Sequence, residues 1–279
     1  MNQSDENQDN LHNGLILPNW PAPSQVKACS TTRCIPGVDA NTGASANTIS
    51  PGRNGPVQAQ PRTQASQPPY HDFNLGTQVN DDRHRVLQHR HYLQQYLNLP
   101  QLDWMKQIHG DRVIVAGERQ LEADAMVSTG AACLIQTADC VPVLICNQAG
   151  THVAAVHAGW RGLAKGIIDR TLDALSIDQP SAQWLAWIGP CISAPYYTVD
   201  APVKQALYKY PEALTEVDAT HWQADLIHIA SQQLQSRSVE VYGGQWCTYR
   251  QPELFYSHRR AQTCQQQTGR IAHLIWLTN

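Results

Sequence analysis

The sequence predicts one α/β or α+β domain with most of its strands buried, and three observations carry that prediction. Beyond residue 80, helical and strand patterns alternate along the chain. The strand segments are runs of apolar and β-branched residues, as strands deep in a core require. Hydrophobic residues make up 42% of the 279 positions, enough for a sizeable core in one large domain or two small ones.

The elements follow in order. Residues 1 to 13 are polar at the start and read as a disordered tail. Residues 38 to 66 are rich in Pro, Gly, Gln, Asn and Ser and almost without large apolar residues. Such a stretch buries too little surface to offset its ordering entropy, so a long inserted surface loop is expected. Order returns at "PPYHDFNLG", residues 68 to 76. Arg83 to Leu97 reads as a helix stopped by Asn98 and Pro100. "LDWMKQIHGDRVIVA" reads as strand, turn, strand around His109-Gly110. "ACLIQTADCVPVLICN" suits a buried strand pair or one bent strand, with Pro142 arguing for an edge or a bulge just after Cys140. "THVAAVHAG" is a second buried strand, and Arg161 to Ser176 shows apolar residues at helical spacing. "AQWLAWIGP" is a strand, and Asp200 caps a helix with Pro202 in its first turn. Trp222 to Gln235 reads as an amphipathic helix, and "VEVYGG" and "RIAHLIWL" are the last strands.

Charge and composition exclude several function classes. A formal net charge of -3 and a pI near 6.4 leave no electrostatic footprint for nucleic acid or an anionic membrane. No apolar run is long enough to span a bilayer, and the first ten residues lack the basic and apolar regions of a signal peptide. Eight cysteines at irregular spacing do not form a disulfide framework, so a cytoplasmic protein with reduced thiols is expected.

His109, Cys140 and His157 each stand where an apolar run meets a turn. Strand ends bring side chains from separate segments together on a rigid scaffold. Two imidazoles and a thiol make a three-ligand set for zinc, with a fourth position left for water or substrate. The same residues suit a cysteine hydrolase, with Cys140 as nucleophile, His157 as base and Asp139 as orienter. Both arrangements need thiolate and imidazole within contact distance, so spacing leaves both open, beside the plain reading of a buried thiol and a core histidine. His84, His89 and His91 lie on one helix at spacings that favour a solvated basic surface. Arg33, in "STTRCIPG", and Arg259 and Arg260, in "FYSHRRAQ", are candidates for an anion.

Seven segments together mark a family. "NLG" at 74–76, "QIHG" at 107–110, "ADAMVS" at 123–128, "TADCVPVL" at 137–144, "HAGWRG" at 157–162, "IGPCI" at 188–192 and "FYSHRR" at 255–260 resemble the laccase-domain family in order and spacing. Its members are also known as polyphenol oxidases, zinc-dependent purine nucleoside phosphorylases or peptidoglycan-editing factors. The resemblance implies a single-domain sandwich of mixed β-sheets flanked by helices over residues 14 to 279. It implies zinc on His109, Cys140 and His157, and phosphorolysis of adenosine, inosine, guanosine or S-methyl-5'-thioadenosine, with hydrolytic deamination of adenosine. By the same resemblance Arg33, Asn74, Arg259 and Arg260 would contact nucleoside or phosphate. Editing of a peptidoglycan precursor at the same metal is the alternative activity, and a non-enzymatic binding role for the 38–66 loop is a third. Three departures from the family pattern bear on substrate preference: the insertion at 38–66, His258 where Tyr is common, and Ala261 where Asp often stands. A laccase would need paired histidines for a copper cluster. The sole HxH, His89-Arg90-His91, lies on a predicted helix, so copper is less expected than zinc.

Overall fold

The computed structural model describes residues 11–38, 63–177, 179 and 181–278. The expected tail lies outside these residues up to position 10, and the expected loop lies outside them from 39 to 62. The ends of both segments are structured, which corrects their boundaries. β1 (Leu11–His12) pairs antiparallel with β2 (Leu15–Ile16). Ser66 bridges Asp72, and the carbonyl oxygen of Gln64 lies 2.7 Å from His89 Nε2. These anchors are main-chain contacts, which need no apolar side chain and so leave no trace in composition.

The strands continue as β3 (Val26–Thr31), β4 (Val113–Val115), β5 (Ala125–Ser128), β6 (Cys133–Thr137), β7 (Val141–Asn147) and β8 (Val153–Ala158). After these come β9 (Trp184–Ile188), β10 (Thr198–Val199), β11 (Leu214–Glu216), β12 (Trp222–Ala224), β13 (Glu240–Gly243) and β14 (Ile271–Leu277). The α-helices are α1 (Arg83–Tyr96), α2 (Trp160–Lys165), α3 (Ile167–Ser176), α4 (Ala201–Ala206), α5 (Leu226–Ser236) and α6 (His258–Thr263).

Two large sheets pack face to face. One is antiparallel in the order β1-β2-β3-β14-β6, and the other is mixed in the order β13-β9-β7-β8-β5-β4. Side chains alternate along each strand, so β7 sends Leu144 and Cys146 between the sheets and Val143 and Ile145 to the opposite face. Met126, Ile135, Trp187 and Ile275 complete the layer between the sheets. Ile167, Ile168, Leu172 and Leu175 of α3 cover the outer face of the mixed sheet, joined by α5. Tyr92 and Leu93 of α1 cover the other sheet against Leu134 and Leu274. Full burial of one such aliphatic or aromatic side chain contributes about 1.5–3 kcal/mol. The sandwich of β-sheets flanked by helices that the resemblance implies is the fold observed, with one of the two sheets wholly antiparallel rather than mixed. A small third sheet, β10-β12-β11, adds Val199, Trp222 and Ala224 to the apolar cluster on the outer face of the mixed sheet.

Four local expectations are corrected. Pro142 sits in a central strand, not an edge. The ladder between β7 and β9 begins at Val143↔Ile188, so only the Pro142 carbonyl is used, by the Gly189 amide at 3.0 Å. The segment before His109 forms no strand beyond a single bridge between Lys106 and Glu122. There the Gln107 side-chain amide replaces a ladder, donating to the Gln136 carbonyl and accepting its N–H, each at 2.7 Å. The helix expected from Arg161 is broken into α2 and α3 at Gly166, which has φ +81°. Trp222 begins β12 rather than a helix, and α5 starts only after Asp225, whose side chain accepts from the His228 amide.

This architecture fixes where the candidate residues meet. The chain leaves the antiparallel sheet at Thr137 and enters the mixed sheet at Val141, and Cys140 lies in that crossing.

Candidate metal centre

His157 is the penultimate residue of β8, and the pairing Val141↔Ala158 brings Cys140 alongside it. His109 comes from the loop before β4. One ligand atom from each of these three residues lies within 4.8 Å of the others. The two imidazole rings stand edge to face with centroids 4.9 Å apart. His157 is buried, Cys140 half-buried and His109 exposed, so the cluster opens to solvent on the His109 side. A Cβ at Gly159 would stand 2.9 Å from Cys140 Sγ and 3.6 Å from His109 Cδ2, so only glycine lets the chain pass here.

One carboxylate, that of Asp124, organises two of the three. Asp124 precedes β5 and lies opposite His157, whose amide donates to its carbonyl at 2.7 Å. The fully buried Asp124 Oδ1 stands 2.8 Å from His157 Nδ1 and accepts the His109 amide at 3.0 Å. Its Oδ2 accepts the Gly110 amide at 2.7 Å. With Nδ1 committed, Nε2 is the His157 nitrogen left for a metal, the usual arrangement behind a ligating histidine. His109 has φ +56°, a left-handed backbone uncommon outside glycine, and the amide bonds to Asp124 hold it there.

Asp139 holds the third. Its φ of +95° turns the chain between the sheets. Oδ1 accepts from Thr248 Oγ1 at 2.6 Å, and Oδ2 accepts from Ser257 Oγ at 3.0 Å and the Arg259 amide at 2.6 Å. Asp139 therefore orients neither histidine; it ties the Cys140 crossing to the segment before α6.

The charges agree with this geometry. Burial acts to raise the Cys140 thiol, but the charge of His157 and hydrogen bonds from both histidines hold it below the ordinary thiol range. Burial acts to lower His157, and the Cys140 thiolate and Asp124 prevail in raising it. Burial would likewise raise Asp124, yet the hydrogen bonds from His157 and the two amides keep it below its ordinary value. A thiolate between two imidazoles is a donor set that suits zinc.

The remaining candidates divide. The Arg260 guanidinium donates to the carbonyls of Thr248, Tyr249 and Phe255, at 2.7, 2.8 and 2.5 Å, so it braces the loop before α6 rather than offering itself to an anion. Asn74 is fully buried and its side-chain amide is spent on Gly76, Asp81 and Arg270. Arg33 donates to the Pro252 carbonyl at 2.8 Å and lies over the Tyr256 ring. Arg259 donates to the Thr198 carbonyl at 2.7 Å and lies over Tyr197, 4.9 Å from the ring centroid. Burial first, and then the charge of Cys140, raise the pKa of Tyr197. His89 is no surface residue: it is buried, and its Nδ1 lies 2.9 Å from the Asn74 carbonyl oxygen. Among the described residues, His109, Cys140 and His157 form the one cluster of His, Cys, Asp or Glu close enough to hold a metal.

Sequence reasoning missed Asp124, although it stands inside the quoted "ADAMVS". An aspartate within a wholly apolar strand run is itself a signal, because a buried carboxylate needs several donors.

The family model described as multi-copper polyphenol oxidoreductase laccase matches residues 58–278. The chain belongs to this family. Among laccase-family relatives, purine nucleoside phosphorylase YfiH of Shigella flexneri is 38% identical over 273 residues, spanning 94% of this chain and 98% of its own length. Purine nucleoside phosphorylase PA4543 of Pseudomonas aeruginosa is 36% identical over 274 residues, spanning 95% and 99%. The crystal structure of Neisseria meningitidis protein NMB0706, 36% identical, superposes with a TM-score of 0.78 over 95% of this chain and 100% of that one. No helix among the described residues is long and apolar enough to cross a membrane.

Proposed function

We propose that this laccase-family protein is a zinc-dependent purine nucleoside phosphorylase that also deaminates adenosine, with His109, Cys140 and His157 as metal ligands. The carrying observation is the cluster itself, three donor atoms within 4.8 Å at the crossing between the sheets. The names of the relatives at 36–38% identity over nearly the whole chain supply the substrate class. When bound, zinc supplies Lewis acidity at an open coordination position.

The chain's own groups do the rest. Asp124 fixes the His157 ring and the His109 backbone, so the donor atoms are placed before any ligand arrives. Asp139 fixes Cys140 by holding the turn. Tyr197, with Arg259 across its ring, is near enough to Cys140 to feel its charge, and we assign it to the nucleoside side of the site. A half-buried, neutral phenol of this kind can offer its free aromatic face to a purine. The paired histidines of a multicopper cluster have no counterpart, since His89 is committed to backbone carbonyls and His91 is exposed. Zinc is therefore proposed rather than copper. All eight cysteines are free thiols, which supports a reducing, cytoplasmic setting.

Inosine incubated with the protein and phosphate is expected to give hypoxanthine and ribose 1-phosphate, and adenosine without phosphate to give inosine and ammonia. Chromatography of both mixtures tests the reading; unchanged nucleoside in both would overturn it.

A further inference from the structure

Arg270 directly precedes β14, whose register sets Ile271 opposite Thr137. Arg270 therefore stands beside the Ala138–Asp139–Cys140 crossing. Its backbone is pinned from the Asn74 turn: the N–H donates to Asn74 Oδ1 at 2.9 Å, and the carbonyl accepts the Leu75 amide at 3.1 Å. Its stem fills the space over Gly76, where a Cβ would meet Arg270 Cγ at 2.7 Å. The same Asn74 Oδ1 takes the Gly76 amide at 2.9 Å, and its Nδ2 donates to Asp81 at 2.8 Å. The Asn-Leu-Gly segment is thus a cradle for one arginine.

The head of that arginine is only half used. Nη1 donates to the carbonyls of Thr268 and Gly269 at 3.2 and 2.9 Å, while nothing among the described residues accepts from Nε or Nη2. Three neighbours feel its charge. Burial lowers the pKa of Arg270, and the charges of Cys140 and Asp139 oppose that. His258 is lowered by burial and then by the charge of Arg270. The register sets Arg270 beside the crossing that carries Asp139 and Cys140, and its charge is felt there and at the exposed His258. The three donors to the Asp139 side chain are Thr248, Ser257 and Arg259, so the Nε–Nη2 edge of Arg270 is not spent on it.

We infer that Arg270, cradled by Asn74 and Gly76, binds inorganic phosphate through its Nε–Nη2 edge beside the His109–Cys140–His157 cluster. Two parallel N–H donors in one plane match two oxygens of a phosphate, which an ammonium group cannot reproduce. Asn74 acts as a positioning residue, through the arginine and not on the ligand. The choice of phosphate among oxyanions rests on the phosphorolysis proposed above.

Inorganic phosphate titrated against the thermal unfolding midpoint of the full-length protein tests this without relying on turnover. Phosphate is expected to raise the midpoint of the wild type. R270Q should weaken that response roughly ten- to a hundredfold in phosphate concentration, and R270K should restore part of it. N74A, which keeps the charge but loosens the cradle, should shift it in the same direction. Zinc content should stay at the wild-type level in R270Q. A wild type indifferent to phosphate, or an R270Q that responds as the wild type does, would overturn the inference. A phosphate response that depends on Arg270, in a protein that cleaves no inosine, would support the anion site and count against phosphorolysis alone.

Discussion

Asp124 Oδ1 and His157 Nδ1 lie 2.8 Å apart with both groups buried, and the same carboxylate takes the amides of His109 and Gly110. One side chain from the start of β5 therefore sets a ring on β8 and a strained loop residue before β4. Asp124→Asn keeps the shape but presents an N–H where His109, Gly110 or His157 now donates. Its zinc affinity should fall roughly ten- to a hundredfold, as for other partners of metal-bound histidines. Competition with a chromogenic chelator measures this, and wild-type affinity in the variant would refute the role.

Asp139 serves folding as much as the site. Asp139→Ala leaves Thr248, Ser257 and the Arg259 amide without their acceptor and places alanine at φ +95°. Orphaned buried donors cost about 1–3 kcal/mol each, so urea unfolding should show a loss of at least ~2 kcal/mol. Asp139→Asn, which tolerates that backbone better, should lose less.

The two adjacent arginines should behave differently. Arg260→Ala removes a guanidinium that ties three carbonyls, so it should lower the unfolding midpoint and reduce phosphorolysis and deamination alike. Arg259→Ala should spare stability more and raise the KM for nucleoside, because Tyr197 loses the guanidinium that lies over its ring. Equal midpoints for the two variants would contradict this division.

His273, behind the cluster, gives the fold a pH signature of its own. It lies between Ser30 Oγ at 2.6 Å and Thr137 Oγ1 at 2.8 Å, and burial first, with the charge of His157, lowers its pKa to about 3. The folded protein keeps this histidine neutral while the unfolded chain binds a proton below about pH 6.5. Stability should therefore fall as pH drops from about 6.5 toward 3, by up to ~1.4 kcal/mol per pH unit from this group. His273→Gln should flatten that part of the profile in denaturant titrations; an unchanged slope would assign the acid sensitivity elsewhere.

The sequence carried the layers of this fold well because burial on both faces is written in runs such as "THVAAVHAG". It carried the closeness of His109, Cys140 and His157 too, since each stands at a turn. What it hid were contacts made by main-chain groups and by turns. Asp139 looked like a partner for histidine, but its oxygens reach Thr248, Ser257 and Arg259, more than a hundred residues away in sequence. Arg260 looked free for an anion until the carbonyls around it were in place. Pro142 argued for an edge because the rule concerns a missing N–H, and the end of a ladder in the middle of a sheet satisfies it equally.

The proposed catalysis requires a metal at His109, Cys140 and His157. Zinc titrated into chelator-treated protein, with inosine phosphorolysis followed at saturating phosphate, tests it directly. Turnover should be absent at first, rise with added zinc and level off at about one ion per chain, as a single three-ligand site requires. Full turnover in the metal-free protein would contradict the account.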